Sequence, residues 1–352
     1  MVGGGINGLC CAWALAVDGH QVTLYERERV MQATSSASSK LLHGGIRYLE
    51  NGQFRLVKEA LKERDSWITA VPSLAVPLPI LFPKFLKSKR PKWLLGTGFK
   101  LYDYLASSSV FPASQWLDVL EVKELSPDLA CDNLQGAYLY YDAQMDDYLL
   151  GKWVADQCAA LGVEIFENVC VKRVGTDGSL LLPDGTSRGF DMLLNVTGPW
   201  AEKLLIESAI APDYHLDLVR GSHIIIDRSC NHALILEVPG EARIFFVIPW
   251  KEKILIGTTE ERQGLDHPIV SSEKEIEYLV KAYNFYVRKQ ISRVDVVERF
   301  AGLRPLLRSH DNPGKASREY AIQKNNKLIT VFGGKWTTAR ALAEKVKHKC
   351  LE

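Results

Sequence analysis

The spacing of hydrophobic positions divides the chain into helical, stranded and irregular segments. Apolar side chains at helical spacing predict helices over residues 53–68, 147–161, 273–289 and 337–348. Short apolar runs predict strands over residues 21–25, 163–166, 192–196 and 328–332. The prolines between residues 72 and 91 predict an irregular segment there.

The region that begins at Ser222 has a different pattern. The runs HIIID, ALILEV, IFFVIPW and ILIGTT follow one another closely, and a tight polar turn at Lys251 and Glu252 joins the last two. Such spacing is typical of an antiparallel sheet. We therefore predict an α/β fold with an α+β insertion. A Rossmann-like nucleotide lobe (residues 1–80, 140–212 and 300–352) is interrupted by an antiparallel-sheet lobe (residues 81–139 and 213–299).

A glycine motif opens the chain. Gly3, Gly5 and Gly8 form a G-x-G-x-x-G pattern ahead of an alanine-rich helix, and Glu26 ends the strand that follows. In dinucleotide folds such glycines allow a tight turn, the helix N-terminus receives the pyrophosphate, and the acidic residue binds ribose hydroxyls. The glycines alone also occur in unrelated α/β turns, but their register with helix, strand and acid indicates dinucleotide binding.

The first strand of this lobe is short in the sequence. Only Met1 and Val2 precede the glycine motif. That strand normally lies in the middle of the sheet, so the pattern predicts either a start that has been cut or a stub in the central position. In both cases we expect lower stability and weaker cofactor binding.

Composition and charge narrow the classes of protein. With 352 residues and 47% hydrophobic content, the chain can bury one large core or two smaller ones. Its net charge of +1 gives no reason to expect a nucleic-acid partner. Seven cysteines without paired ligand spacing predict reduced thiols, a cytoplasmic location and no metal site. No apolar run reaches the roughly 18 residues of a membrane-spanning helix.

Several motifs occur in order along nearly the whole chain. They are GGGING (3–8), TSSASSKLLHGGIRYLE (34–50), NVTGPW (195–200), RGSHIII (220–226), FFVIPW (245–250), GTTE (257–260), GLRPL (302–306), SREY (317–320) and FGGKWTT (332–338). Together they resemble the FAD-dependent glycerol-3-phosphate dehydrogenases, within the larger D-amino-acid-oxidase-like group of flavoproteins. The chain departs from that family at Trp336, where an aliphatic residue is usual, and lacks the family's helical C-terminal domain after about His348.

The resemblance implies FAD as the cofactor and a set of contacts with it. The hydroxyls of residues 34–36 would lie along the FAD phosphates, and residues 40–44 would pass beneath the isoalloxazine ring, where only a backbone without side chains approaches closely. Val171 would contact the adenine, and Thr197 and Gly198 would close on the ring system. The implied cofactor residues are Gly3, Gly5, Ile6, Asn7, Gly8, Glu26, Thr34, Ser35, Ser36, Lys40, Leu41, His43, Gly44, Val171, Thr197, Gly198, Trp200, Gly333, Gly334, Lys335 and Thr337.

The resemblance also implies sn-glycerol 3-phosphate as the substrate. Its phosphate needs a clamp, and the planar guanidinium of arginine makes paired hydrogen bonds to phosphate oxygens. Arg47, Arg304 and Arg318 fall in separate motifs, and with Tyr48 they are the predicted phosphate ligands. The alternative is a serine-rich loop that leads to an arginine on the surface.

Oxidation of the substrate also needs an acceptor for the hydroxyl proton. His223 suits this role, because histidine titrates near neutral pH, but it equally fits a histidine hydrogen-bonded at a strand end. Lys335 precedes the last helix, whose N-terminus would face the N1–C2=O edge of the flavin; the lysine would add charge there or touch the substrate. His223, Arg304 and Lys335 form the predicted catalytic set.

Residues 84–105 combine basic and large apolar side chains. This composition suits a surface that lies on anionic lipid, or a solvated basic loop. The resemblance implies quinone as the electron acceptor, peripheral association with the cytoplasmic membrane, and a homodimer as one option. The alternatives are an oxidase that uses oxygen and a truncated paralogue without catalysis; an amino-acid oxidase fits less well, because three motif arginines suit a phosphate better than a carboxylate.

Overall fold

The computed structural model describes residues 1–106, 110–241, 243–308 and 320–352. The α-helices of these residues are α1 (Ile6–Val17), α2 (Phe54–Ala70), α3 (Lys92–Leu105), α4 (Val119–Leu125), α5 (Asp147–Ala160), α6 (Ala201–Glu207), α7 (Glu273–Asn284) and α8 (Ala339–Leu351). The strands are β1 (Thr23–Tyr25), β2 (Leu41–Leu42), β3 (Ala75–Phe85), β4 (Gln115–Leu117), β5 (Leu134–Met145), β6 (Glu164–Phe166), β7 (Arg173–Val174), β8 (Ser179–Leu181), β9 (Ser187–Gly189), β10 (Leu193–Asn195), β11 (Leu216–Ile226), β12 (Ala233–Glu237), β13 (Ile244–Trp250), β14 (Lys253–Gly257), β15 (Glu261–Arg262), β16 (Val296–Leu307), β17 (Tyr320–Asn325) and β18 (Leu328–Gly333).

The parallel sheet is assembled around Val2. Val2 forms parallel bridges to Tyr25 in β1 and to Asn195 in β10. β1 also pairs in parallel with β6, β10 pairs in parallel with β18, and β17 adds an antiparallel edge. The order is therefore β6–β1–Val2–β10–β18–β17. The predicted stub occupies the central position, and its amide donates to Leu194 O at 2.8 Å.

Helices α1, α5 and α8 pack together beside this sheet, with α1 in contact with both of the others. Leu9, Cys10 and Cys11 of α1 are almost fully buried there, so the two adjacent cysteines pack as small apolar side chains. Gly8 lies where α1 meets the glycine turn, and a Cβ at this position would overlap the carbonyl oxygen of Gly3. The entry of α1 is therefore fixed by a contact that only glycine permits.

A large sheet, mostly antiparallel, forms the second layer, in the order β15–β11–β14–β13–β12–β3–β5–β2, with β16 on β11 and β4 on β5. It confirms the predicted antiparallel sheet after residue 222. The two faces alternate along β11: Ile224 and Ile226 belong to the core that includes α7, whereas Ile225 belongs to the core that includes α2 and α3. α7 ends at Asn284, before the predicted residue 289, because the Asn284 side chain bonds both backbone groups of Ile291.

The prediction of an irregular segment over residues 72–91 is wrong. Residues 75–85 form β3, which pairs with β5 along its length. The prolines at positions 77, 79 and 83 are spaced by even numbers, so the N–H groups that they lack fall on one edge of the strand. The other edge keeps its hydrogen bonds to β5. β3, β5 and β16 run through the predicted lobe boundaries, and the division into lobes stays a prediction.

Residues 84–105 end β3, form a loop and then form α3. The helix buries Leu95, Phe99 and Tyr102, while Trp93 is 72% exposed and Leu94 is 42% exposed. The basic and aromatic segment therefore has a buried face and a mixed basic and apolar outer face. Among the described residues, no helix is both long enough and apolar enough to cross a bilayer.

Two glycine substitutions test the packing of α1. We expect Gly8→Ala to destabilise the protein by about 1–3 kcal/mol, because the methyl group overlaps the Gly3 carbonyl. Gly98→Ala in α3 is the matched control, because a Cβ there meets no atom within 4 Å, and we expect it to stabilise the protein by about 0.5–1 kcal/mol. Urea unfolding measures both; equal effects of the two substitutions would contradict this packing.

Candidate active site

A cavity of about 1600 Å³ is lined by residues of both sheets. It brings together most of the residues singled out in the sequence: Gly3, Gly5, Ile6, Asn7, Glu26, Thr34, Ser35, Leu41, His43, Arg47, Tyr48, Val171, Thr197, Gly198, Trp200, His223, Arg304, Gly333, Gly334, Lys335 and Thr337. Gly8, Ser36, Lys40 and Gly44 do not line it. Arg318 lies outside the described residues.

The glycine turn places the N-terminus of α1 at one end of the cavity. The first amide of α1, on Ile6, donates to the hydroxyl of Ser35 at 3.0 Å, and a Cβ at Gly5 would lie 2.9 Å from that hydroxyl oxygen. The Glu26 carboxylate accepts from the amide of Gly4 at 2.6 Å, so the acid sits directly beside the turn. Backbone donors, a helix N-terminus and a carboxylate suit a dinucleotide with a pyrophosphate and a ribose.

The three hydroxyls of residues 34–36 have different partners. Ser35 lies at the N-terminus of α1, whereas Thr34 donates to Leu303 O at 2.8 Å and Ser36 donates to Ala33 O at 3.2 Å. Thr34 thus ties the loop to β16, and Ser36 closes a local turn. Of the three hydroxyls predicted to lie along the FAD phosphates, only that of Ser35 bonds to the N-terminus of α1.

Lys40 points away from the cavity. Its ammonium donates to Asp147 at 2.7 Å and to Ser36 O at 2.8 Å, and the same carboxylate accepts from the backbone and hydroxyl of Ser38. Asp147 is fully buried at the start of α5. The lysine therefore holds the loop in place, and an unpaired charge in this position would be costly.

The glycines of the HGG turn are required for different reasons. A Cβ at Gly44 would lie 2.6 Å from both Leu61 and the Tyr102 hydroxyl, so this glycine is needed by the protein interior. The predicted contact of Gly44 with the flavin stays a prediction. Gly45 has φ = 72° and does line the cavity, and a Cβ there would overlap the Tyr48 ring.

His223 is buried and lines the cavity from β11. Its Nε2 lies 2.8 Å from the Ser39 hydroxyl, its ring stacks on Phe300 at 4.8 Å, and its Nδ1 has no hydrogen-bond partner among the described residues. A Cβ at Gly257 would overlap the imidazole, so that glycine makes room for it. Burial, together with the charges of Arg304 and Lys40, lowers the pKa of His223 to about 3, so the ring is neutral.

Several basic side chains line the same cavity as His223. Arg304 donates to Thr259 O at 3.0 Å and lies 3.7 Å from the Glu260 carboxylate, which approaches Arg243 at 3.4 Å from the other side. Arg47 and Lys335 line the same cavity, and the Lys335 ammonium lies 3.8 Å from the centre of the Tyr48 ring. Arg243 belongs to no motif recognised in the sequence.

A buried hydrogen-bond network around Glu275 holds Thr259, whose carbonyl oxygen accepts from Arg304. The Glu275 carboxylate accepts from Ser222 at 2.8 Å and Thr259 at 2.6 Å, and pairs with Arg220 at 2.7 Å. Burial alone would raise its pKa, but hydrogen bonds from Thr259, Ser272 and Ser222 hold the pKa of Glu275 down to about 2. The conspicuous arginine of the RGSHIII motif thus fixes β11 instead of facing the cavity.

Two further residues belong to this site: Arg27, which no motif indicates, and Trp336, whose departure from the family pattern the sequence does not explain. The Arg27 guanidinium lies 3.7 Å from the centre of the Trp200 ring, and both side chains line the cavity near Glu26. Trp336, which departs from the family pattern, donates from Nε1 to Ser35 O at 2.9 Å. The indole therefore ties the entry of α8 to the loop at the α1 N-terminus, which an aliphatic residue could not do.

Comparison with known proteins defines the class first. Residues 1–347 match the DAO family, described as FAD dependent oxidoreductases. The chain belongs to this family, and its cofactor is FAD. The residues present fit that cofactor, because the glycine turn, the N-terminal residue Ile6 of α1 and Glu26 all line one cavity.

The relatives are more specific. The chain is 35% identical over 368 residues to the aerobic glycerol-3-phosphate dehydrogenase of Escherichia coli K12, with 99% of this chain and 72% of that protein covered. It is 34% identical over 366 residues to the D-erythritol 1-phosphate dehydrogenase of Brucella abortus 2308, again covering 99% and 72%. The glycerol-3-phosphate dehydrogenase of Bacillus halodurans complexed with FAD has the same fold, with a TM-score of 0.78 at 24% identity. The match covers 99% of this chain and 63% of that protein.

The depressed pKa of His223 predicts a pH-dependent stability. Between pH 6.5 and 3, His223 is protonated in the unfolded chain but stays neutral in the folded protein. The free energy of unfolding should therefore fall as the pH drops through this window. We expect His223→Gln to lose less stability than the wild type between pH 7 and pH 4.5, and the exposed control His267→Gln to behave like the wild type. Urea unfolding at the two pH values measures this, and equal losses in all three proteins would contradict a neutral, buried His223.

Proposed function

We propose that this protein oxidises sn-glycerol 3-phosphate to dihydroxyacetone phosphate. The observation that carries the proposal is that Arg47, Arg304 and Lys335 line the same cavity as the glycine turn and the turn before α8. When bound, FAD supplies the acceptor for the hydride that leaves C2. The similarity to dehydrogenases of polyol phosphates, at 35% and 34% identity over nearly the whole chain, supports this substrate class.

Arg304 and Arg47, together with Tyr48, are the proposed ligands of the substrate phosphate. Arg304 is held by Thr259 O and Glu260, so its fork is oriented before substrate arrives, and Arg47 and Tyr48 enter the cavity from one short segment. A planar guanidinium can then form two parallel hydrogen bonds to the phosphate. The predicted contact of Arg318 with the same phosphate stays a prediction.

His223 is the proposed acceptor of the proton that leaves the C2 hydroxyl of the substrate. The ring is neutral and lines the cavity, so it can accept a proton without first losing one. A pKa of about 3 makes it a weak base on its own. A dianionic phosphate nearby would offset the charges of Arg304 and Lys40 and raise this pKa, so that the base becomes effective once the substrate is bound.

Electrons are proposed to pass to quinone at a membrane surface. The support is the outer face of α3, where exposed Trp93 and Leu94 lie beside Lys92 and Lys100. Apolar side chains with basic neighbours bind anionic lipid surfaces. A homodimer stays a prediction.

Substrate comparison tests the proposed reaction. Purified protein loaded with FAD should reduce an artificial dye with glycerol 3-phosphate, and glycerol should give no rate above background because it lacks the phosphate. D-erythritol 1-phosphate is the competing polyol phosphate, and D-amino acids test the wider group. Faster reduction with D-erythritol 1-phosphate would move the substrate assignment, and reduction by none of these compounds would contradict it.

The electron acceptor needs a separate measurement. With glycerol 3-phosphate present, we expect a water-soluble quinone to be reduced much faster than oxygen is consumed. Rapid oxygen uptake with peroxide formation would identify an oxidase instead. A protein that does not retain added FAD would favour the paralogue without catalysis.

Arg304→Lys tests the phosphate clamp. The substitution keeps the charge but removes the fork, so we expect kcat/KM for glycerol 3-phosphate to fall by about 10- to 100-fold. Arg299→Lys is the matched control, because this arginine lies on the same strand, is half exposed and pairs with Glu273. Equal kcat/KM values for the two variants would contradict the role of Arg304.

A further inference from the structure

A buried polar cluster lies beneath the turn that leads into the cavity. It consists of Arg64 on α2, Tyr102 on α3 and Asp142 on β5, each at most 2% exposed. Arg64 donates to the Asp142 carboxylate at 2.9 Å, and the Tyr102 hydroxyl donates to it at 2.7 Å. One carboxylate thus joins two helices and a strand, at a cost in desolvation that only full pairing offsets.

The cluster holds the backbone of the HGG turn from one side. The amide of Gly44 donates to the Tyr102 hydroxyl at 3.0 Å and to Asp142 at 3.3 Å. The preceding amide, on His43, donates to the Thr337 hydroxyl at 3.3 Å. Two successive amides are therefore fixed by side chains from separate parts of the chain, one near α8 and the other on α3.

The chain after this turn carries the proposed phosphate ligands. Gly45 adopts φ = 72° and begins the 3-10 segment Ile46–Asn51, which contains Arg47 and Tyr48. α3 also packs directly against this segment. The Cβ position of Gly44 is closed by Leu61 and Tyr102, so the turn has little freedom to settle elsewhere.

The hydroxyl of Tyr102 is suited to this double role. Burial, together with the charge of Asp142, raises the pKa of Tyr102 well above its usual range, so the hydroxyl keeps its proton. It can then donate that proton to Asp142 and accept the N–H of Gly44 with a lone pair.

We propose that Tyr102 and Asp142 are positioning residues of the active site, which fix the backbone of His43 and Gly44 and thereby the place where Arg47 and Tyr48 enter the cavity. The inference rests on the proposed function, in which Arg47 and Tyr48 bind the substrate phosphate. Tyr102 does not line the cavity and acts through the backbone turn, and Asp142 accepts the Gly44 amide in the same turn.

Tyr102→Phe tests this role, with Tyr104→Phe as the matched control. Both substitutions remove one phenolic oxygen from α3, but Tyr104 is 76% exposed. In the FAD-loaded protein we expect Tyr102→Phe to raise KM for glycerol 3-phosphate about tenfold, with a smaller change in kcat. Amide hydrogen exchange of peptides that cover residues 41–51 should become about tenfold faster in Tyr102→Phe, and only there.

A second variant guards against a trivial loss of folding. Asp142→Asn keeps the side-chain size but weakens the bonds to Arg64, Tyr102 and Gly44 together, so its local increase in exchange should be at least as large. The inference is overturned if Tyr102→Phe matches Tyr104→Phe in KM and exchange, or if exchange rises evenly over the whole protein. If the wild type does not oxidise glycerol 3-phosphate, the proposed function fails, and the exchange of residues 41–51 alone decides the positioning role.

Discussion

The site depends on how α1 meets the parallel sheet. Met1 and Val2 lie between β1 and β10 and bond to both strands, and Gly3 then turns the chain towards the helix. Because Gly8 touches the carbonyl of Gly3, the helix N-terminus cannot shift without breaking this packing. The start of α1 therefore lies at the cavity in a fixed position, and a helix N-terminus so placed suits a pyrophosphate.

The other end of the cavity depends on paired charges. Asp147, Asp142 and Glu275 are buried carboxylates, and each holds one of the segments that approach the cavity. Lys40, Arg64 and Arg220 pair with them. Buried pairs of this kind add little net stability but leave few alternative arrangements once formed, because loss of either partner exposes an unpaired charge. The cavity can thus present several basic groups to a phosphate on a rigid frame.

The sequence was sufficient for the elements that repeat a simple period. The helix of residues 147–160, the central strand at residues 193–195 and the antiparallel strands after residue 222 lie where their patterns predict, and the family was recognised from ordered motifs. The pattern does not predict β3 because proline usually interrupts a strand, whereas the even spacing of these prolines leaves one strand edge intact. The packing reason for Gly44 could not be predicted, because its neighbours Leu61 and Tyr102 are distant in the chain.

The contacts of individual side chains could not be predicted for the same reason, because the residues in contact are distant in the chain. Nothing near Lys40 in the chain indicates that Asp147 will neutralise it, and Arg243 lies outside every motif yet reaches the basic group through Glu260. Such contacts are set by how the strands and helices are arranged in three dimensions. Ser39 beside His223 is a similar case, since the two residues belong to separate motifs and neither motif indicates their contact.

The most direct test is an anaerobic titration of the FAD-loaded protein, followed by its visible flavin absorbance. The account predicts that glycerol 3-phosphate bleaches the absorbance to completion and that glycerol leaves it unchanged. A yellow protein that glycerol 3-phosphate does not bleach would contradict the central claim, because the cavity would then hold FAD without bringing this substrate to it.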